Sequence, residues 1–206
     1  MGRAYSNDAA YSLLASAHVL ATSIRTVVED GVLRKACTSR VPFSTLKLLK
    51  LIAVRETSTV HDVARFLEIT DSAASKTIDK LVRQRWVRRQ EGRPDRREAR
   101  LSLTPHGRRL VARYEAAKTV LLREIFSHFP AHAVAGISSM LDRIAVEVVR
   151  ASGRRAGACL QCGMYYRRKC LLATAIRRTC FYEDLRARGR DVHVRPRPGR
   201  TVALAA

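Results

Sequence analysis

The chain has 206 residues, of which 39 are Lys or Arg and 18 are Asp or Glu, so its formal net charge is +21 at pH 7. A hydrophobic fraction of 47% with 28% charged residues excludes a wholly disordered chain and an integral membrane protein. A compact protein with this charge needs a polyanionic partner, and nucleic acid is the commonest one.

The sequence predicts a cytoplasmic protein without a membrane partner. No stretch approaches the roughly 18 apolar residues of a spanning helix, and the first residues contain no hydrophobic signal core. Of the five cysteines, Cys37 lies alone, and the other four lie between residues 159 and 180. In a reducing compartment such a cluster favours metal or redox chemistry over structural disulfides.

The first predicted element is a helix from Tyr11 to Val28, where apolar residues recur at three- and four-residue steps. Gly31 is expected to end this helix, and a loop carrying Cys37 leads to Pro42. We expect Cys37 to be a small buried hydrophobe rather than a sensor. Residues 1–42 are therefore predicted to be an N-terminal dimerisation helix and linker.

Residues 43–104 carry the pattern of a winged helix-turn-helix. After a short apolar helix, Thr59 and Asp62 have the spacing of a capping box that starts a second one. A tight turn then leads to a third helix, which begins at Thr70 or Asp71. In a helix-turn-helix, the second helix of the pair enters the major groove of DNA. Its polar face is predicted to contact DNA through Ser72, Ser75, Lys76 and Lys80; the alternative is an ordinary solvated helix face.

A β-hairpin follows, because two alternating segments flank a turn-rich stretch around Gly92 and Pro94. Eight arginines and three acidic residues lie between Arg83 and Arg100, which is a local excess of five positive charges. A hairpin this basic, directly after a helix-turn-helix, is typical of a wing that contacts the DNA backbone or enters the minor groove. The predicted contacts at its tip include Arg93, Arg96 and Arg97.

Two long helices are predicted in residues 105–150. Thr104 and Pro105 form an N-cap followed by proline at the first helical position. After Pro130, apolar residues repeat about every 3.5 positions, as they do at a helix–helix seam. A small winged module on its own does not bury the apolar stripes of long helices at both of its ends. These stripes therefore predict a homodimer, which would read two half-sites about one helical turn apart.

Several segments resemble the MarR family of bacterial winged-helix regulators, over roughly residues 8 to 150. The segments that carry the resemblance are Val60–Leu67, Ser72–Leu81, Trp86–Arg89, Asp95–Arg97 and Leu101–Gly107. It implies a mainly α fold and a transcriptional regulator, expected to be a repressor, that binds palindromic promoter DNA as a dimer. It also implies that Asp95 orients Arg97 for the minor groove. Many relatives bind small phenolic effectors, but no residue of this sequence identifies such a pocket.

After Arg150 the sequence departs from that family. Residues 151–185 hold four cysteines spaced C-x2-C-x7-C-x9-C, namely Cys159, Cys162, Cys170 and Cys180. Four thiolates are enough for a tetrahedral zinc site or one iron–sulfur cluster, and thirteen nearby basic residues favour ligation. An iron–sulfur cluster, zinc, a thiol–disulfide sensor and unligated cysteines all stay open. Residues 186–206 are predicted to be a basic disordered tail that adds nonspecific DNA affinity.

Two other classes of function explain the sequence less well. An enzyme is not expected, because the chain has no glycine-rich phosphate loop and no nucleophile elbow. An RNA-binding or ribosome-associated protein accounts for the charge but not for the helix-turn-helix with its wing. A further alternative is a MarR-type regulator with a small-molecule effector and a purely structural zinc site.

Overall fold

The computed structural model describes residues 7–37, 41–54, 58–91 and 99–151. Its elements in chain order are α1 (Asn7–Ser23), a π-helical segment (Ile24–Gly31), α2 (Val32–Ala36), α3 (Phe43–Val54), β1 (Ser58–Thr59), α4 (Val60–Leu67), α5 (Asp71–Arg83), β2 (Val87–Glu91), β3 (Ala99–Leu103), α6 (Pro105–Phe126) and α7 (Ala131–Ala151). The predicted mainly α fold with a winged helix-turn-helix is confirmed. The predicted Cys-rich segment and basic tail lie outside the described residues.

The first helix is longer than its sequence suggests, because α1, the π-helical segment and α2 follow one another without a break. Gly31 was expected to end this helix, and that prediction is wrong, since its φ of −64° and ψ of −48° are helical. The reason is tertiary packing. Val32 and Leu33 are buried just beyond the glycine, where α2 lies against α6, and this burial outweighs the weak helix propensity of glycine.

The helix-turn-helix is formed by α4 and α5, and a side-chain cap begins each helix. The Thr59 hydroxyl accepts from the Asp62 amide at 3.1 Å, while the Asp62 carboxylate accepts from the Thr59 amide at 2.9 Å. This is the predicted capping box. Glu68 ends α4 in the left-handed conformation, with φ 55°, and Thr70 then caps α5 by accepting from the Ala73 amide. The turn between the helices is therefore three residues long, as predicted.

The predicted hairpin is one part of a three-stranded antiparallel sheet with the order β1-β3-β2. In the hairpin, Val87 pairs with Leu103 and Arg89 pairs with Leu101. β1 has only two residues, and Ser58 lies opposite Leu101. Such a short strand has no alternating pattern to detect, which is why the sequence does not predict it. The sheet joins the start of α4 to the wing.

The hydrophobic core lies between α3, α4, α5, the sheet, α2 and the first half of α6. Its most deeply buried side chains include Leu46, Leu49, Leu51, Ile52, Val63, Ile78, Leu101 and Tyr114. By contrast, many large apolar residues of the terminal helices are exposed: Tyr11, Leu14, Val19 and Leu20 in α1, and Ile137, Met140 and Val148 in α7. In α7, all of which the structure describes, Val146 is the only buried residue.

A buried ion cluster connects α3 to α6 at the base of this core. The Glu115 carboxylate lies 2.7 Å from the Lys50 ammonium and 2.6 Å from that of Lys118, and all three side chains are 8% exposed. One carboxylate therefore faces two ammonium groups in a poorly solvated place. Burial lowers the pKa of Lys50 from 10.5 to about 8, and Glu115 only partly opposes this shift.

Candidate nucleic-acid interface

The recognition helix α5 has one face in the core and one in solvent. Ala74, Ile78 and Leu81 are buried. Of the four residues predicted to contact DNA, Ser72, Lys76 and Lys80 are exposed and Ser75 is half-buried. The helix therefore presents a polar, basic surface to a ligand. Contact of these four residues with DNA stays a prediction.

The first turn of α5 is open to an approaching polyanion. Thr70 uses its hydroxyl to cap the helix, with 3.3 Å between its Oγ1 and the Ala73 amide nitrogen. Next to this cap, Asp71 Oδ1 lies 3.3 Å from His61 Nδ1 of α4, and both side chains are exposed. This contact joins the starts of the two helices. A helix start with small neighbouring side chains lets DNA phosphates come close to backbone amides.

Arg89 of β2 is a member of this surface that the sequence prediction missed. It has the same strand parity as buried Val87, so its side chain lies on the side of the sheet that faces α5. There its Nη1 donates to Ser75 Oγ at 3.4 Å and lies 3.7 Å from Asp79 Oδ1. The signal for this residue was the alternation of the strand, in which an arginine occupies an inward position.

Arg88, the preceding residue, has the opposite orientation. Its Nε donates to Ser102 Oγ of β3 at 2.7 Å. Alternation thus separates two adjacent arginines, with one held against β3 and the other extending over the recognition helix. Arg89 is 41% exposed and therefore adds to the positive potential beside α5.

The base of the wing is fixed by Thr104. Its hydroxyl donates to the Arg85 carbonyl at 2.6 Å and accepts from the Gly107 amide at 3.1 Å, and its own amide donates to the Trp86 carbonyl at 2.9 Å. Gly107 packs so closely on this carbonyl that a Cβ atom would lie 2.2 Å from the Trp86 oxygen. These contacts join the end of α5, the base of the hairpin and the start of α6 into one unit.

The tip of the wing, residues 92–98, lies outside the described residues. The predicted contacts of Arg93, Asp95, Arg96 and Arg97 therefore stay predictions. The strands that carry the tip end at Glu91 and Ala99, which are directly paired. The two strands thus flank the stretch around Gly92 and Pro94 in which the sequence predicts the turn.

The predicted cysteine site also lies outside the described residues, because Cys159, Cys162, Cys170 and Cys180 follow the end of α7. Within the described part of the chain, no group of three or more His, Cys, Asp or Glu residues could hold a metal ion. Cys37 is a free, half-buried cysteine, and burial raises its pKa although the Arg113 charge opposes this. Its thiol is therefore less ionised than an ordinary one, in keeping with the expected packing role.

The winged lobe, formed by α3, α4, α5 and the three-stranded sheet, resembles a known protein family. Residues 41–98 match the family model described as MarR family, a segment that includes the helix-turn-helix and most of the hairpin. Over this segment the chain is similar to the MarR family. Proteins of the MarR family regulate transcription and are not enzymes, in agreement with the prediction. Among curated proteins, none matches this chain significantly in sequence.

Solved structures show that the MarR fold extends beyond the matched segment. The YusO protein from Bacillus subtilis is 18% identical, with a TM-score of 0.55 over 69% of this chain and 98% of its own. RV1404 from Mycobacterium tuberculosis is 16% identical, with a TM-score of 0.57 over 70% and 96%. A MarR variant from E. coli, solved in complex with operator DNA, is 18% identical, with a TM-score of 0.50 over 68% and 99%. The terminal helices are therefore part of the shared fold.

A membrane-crossing helix is not found in the described ranges, where no helix has both the length and the apolar character that it needs.

Proposed function

We propose that this protein is a transcriptional repressor that binds palindromic promoter DNA as a homodimer. The observation that carries the proposal is the exposed polar face of α5, which lies beside a basic strand in a MarR-family lobe. In the E. coli MarR variant of the same fold, the bound ligand is operator DNA. The net charge of +21 supports the same class of partner.

The dimer is supported by the apolar surface of the terminal helices. Ile137 and Val148 of α7 are 57% and 59% exposed, and they lie on the same stripe of the helix. α1 exposes a further set of apolar side chains. α1 and α7 precede and follow the lobe in the sequence, and their exposed apolar residues form surfaces that bind a partner favourably. A second copy of this chain would cover both surfaces, because a two-fold dimer packs the same surface of each copy against the other.

The DNA-binding part of the proposal is tested by selection from a random duplex pool, followed by fluorescence anisotropy. We expect the full chain to enrich an inverted repeat and to bind it at least about 1,000-fold more tightly than a shuffled duplex, which is the lower end of the usual specificity range of about 10³ to 10⁷. Affinity should fall with salt at a logarithmic slope of about −0.9 per phosphate contact. Tighter binding to structured RNA, or no enriched sequence, would overturn the proposal in favour of a basic RNA-binding protein.

The dimer is tested with two matched substitutions in α7. Ile137→Glu places a charge on the apolar stripe, whereas Ser139→Glu places the same charge on the other side of the helix, and both positions are exposed. We expect Ile137→Glu to halve the mass measured by light scattering and to reduce affinity for the inverted repeat at least about tenfold, since one half-site contact is lost. Ser139→Glu should change neither quantity. A wild-type protein with the mass of a single chain would contradict the dimer.

The cysteine segment supplies the sensing part of the proposed function. Its support is the spacing of Cys159, Cys162, Cys170 and Cys180 among basic residues. This spacing favours an iron–sulfur cluster over zinc as the bound group. Loss of the bound group near the dimerisation helices would change the distance between the two recognition helices. Protein purified without oxygen should contain stoichiometric iron and sulfide with visible absorbance, or stoichiometric zinc without it. Cys37→Ser should leave the metal content unchanged, and metal-free wild-type protein would contradict a metal site.

A further inference from the structure

Two charged side chains meet on the exposed face of α5, one from the sheet and one from α5 itself. Arg89 extends from β2, and its Nη1 lies 3.4 Å from Ser75 Oγ and 3.7 Å from Asp79 Oδ1 of α5. The side chains of Arg89 and Asp79 are 41% and 54% exposed. Both are thus accessible to a ligand that binds along the helix.

Asp79 is unexpected at this position if only charge matters. A carboxylate on the exposed face of a recognition helix repels DNA phosphates, and this chain otherwise carries a large positive excess. The ion pair with Arg89 is also loose and half-exposed, so it contributes little to the stability of the fold. Asp79 therefore calls for a role in orientation rather than in stability.

We propose that Asp79 and Ser75 are positioning residues that hold Arg89 over α5, where its guanidinium contacts DNA beside the recognition helix. This inference rests on the proposed DNA-binding function. A guanidinium has five N–H donors in a fixed planar arrangement, so Ser75 and Asp79 can orient one edge while the other edge stays available. A phosphate or a guanine edge is the ligand that such an edge binds.

The scaffold on both sides of Arg89 is rigid, which is what makes such positioning effective. The backbone of Arg89 pairs with Leu101 in the sheet, and Leu101 is fully buried. Asp79 follows directly after Ile78, which is also fully buried in the core. An arginine that is oriented before DNA arrives loses less rotamer freedom on binding, and this improves affinity for the correct site.

The experiment uses the full chain, the duplex enriched by the wild-type protein and a shuffled duplex of equal length. Arg89→Ala should weaken binding to the enriched duplex about tenfold or more. Arg89→Lys should show most of this loss, because lysine keeps the charge but cannot make two directed contacts. Arg88→Ala is the matched control: its side chain is held by Ser102 on the other side of the same strand, and we expect less than about a twofold change.

Asp79→Ala gives the decisive result, because positioning and simple repulsion predict opposite signs. If Asp79 orients Arg89, its removal should weaken binding to the enriched duplex about fivefold, although the protein becomes more positive. In the Arg89→Ala background, the same substitution should leave binding unchanged or strengthen it, since only repulsion remains. Thermal unfolding of each variant should match that of the wild-type protein, as all the altered side chains are exposed or half-exposed.

Two outcomes would overturn the inference while leaving the proposed function intact. One is tighter binding of Asp79→Ala in the wild-type background, which would reduce Asp79 to a repulsive charge. The other is an equal loss for Arg88→Ala and Arg89→Ala, which would show a general charge effect. Failure of the wild-type chain to enrich any duplex is a different result, and it contradicts the DNA-binding function itself.

Discussion

The winged lobe and the terminal helices bury their apolar residues to very different extents. In the lobe, α3 buries Leu46, Leu49 and Ile52 almost completely, and α5 buries Ile78. In the terminal helices, Tyr11 of α1 is 71% exposed and most of α7 is open to solvent. The lobe has a core of its own, whereas the terminal helices have apolar surfaces that none of the described residues covers.

Helix α6 connects the two regions and changes character along its length. Leu110, Val111 and Tyr114 belong to the core of the lobe, whereas Val120 and Phe126 are 64% and 48% exposed. Tyr114 also donates a hydrogen bond to the Val28 carbonyl of the π-helical segment, at 3.3 Å. A rearrangement of the terminal helices would therefore reach the core of the lobe through the first half of α6.

The largest effect is expected at the buried carboxylate of the lobe. Glu115→Gln leaves the ammonium groups of Lys50 and Lys118 buried without their counter-charge, so the free energy of unfolding should fall by about 3 to 5 kcal/mol. Glu147→Gln is the matched control in α7, where an exposed pair with Arg150 should contribute less than about 0.5 kcal/mol. Urea unfolding measures both. Equal losses would contradict the difference between the regions.

The same cluster should make the lobe more stable in alkali. The pKa of Lys50 is about 8 in the folded protein and near 10.5 in the unfolded chain, so between these values the unfolded state binds more protons and stability rises with pH. The gain is at most about 3 kcal/mol, and the full penalty is present below about pH 8. Glu115 and Lys118 lie next to the Lys50 ammonium, and Glu29 interacts with it electrostatically.

Lys50→Met isolates this contribution, because it removes the titrating ammonium and leaves Glu115 paired with Lys118. Relative to the wild-type protein, the variant should gain stability near pH 7 and lose that advantage by about pH 10. Urea unfolding at several pH values gives the difference directly. A constant difference across this range would show that Lys50 does not titrate there.

The next effect concerns two glycines in otherwise similar helical positions. Gly107→Ala places a methyl group 2.2 Å from the Trp86 carbonyl oxygen, so the backbone must move and stability should fall by about 1 to 3 kcal/mol. Gly136→Ala in α7 meets no atom within 4 Å, and we expect a gain of about 0.5 to 1 kcal/mol. Thermal unfolding compares the two. A loss at Gly136 would mean that a partner covers this part of α7.

Local sequence signals were sufficient for most of the lobe. The capping box at Thr59, the cap at Thr70 and the proline at the start of α6 each mark a helix start with a specific backbone contact. These signals act over three or four residues, so they are readable in one sequence. The family resemblance was visible in the same segments and is confirmed for residues 41–98.

The features that the sequence did not predict depend on distant partners. Gly31 stays helical because α2 packs on α6, nearly eighty residues later in the chain. β1 exists only because Ser58 meets β3. Arg89 joins the candidate interface through contacts with α5, and Lys50 is buried because Glu115 lies opposite. No local period or motif encodes such pairs, so the structure is needed to find them.

The smallest expected effects come from removing the side-chain caps of α4 and α5. Thr59→Ala removes one half of a reciprocal, part-buried capping box and should cost about 1 kcal/mol of stability. Thr70→Ala removes a single exposed contact of 3.3 Å, so its cost should be about half as large. Because Thr70 lies at the open start of the recognition helix, its substitution should weaken binding to the enriched duplex more than Thr59→Ala does. Urea unfolding measures the stability of the two variants, and anisotropy measures their affinity for the enriched duplex. We expect Thr59→Ala to lose more stability and Thr70→Ala to lose more affinity. If Thr59→Ala lost more of both, the orientation of α5 toward DNA would depend on its packing rather than on its cap.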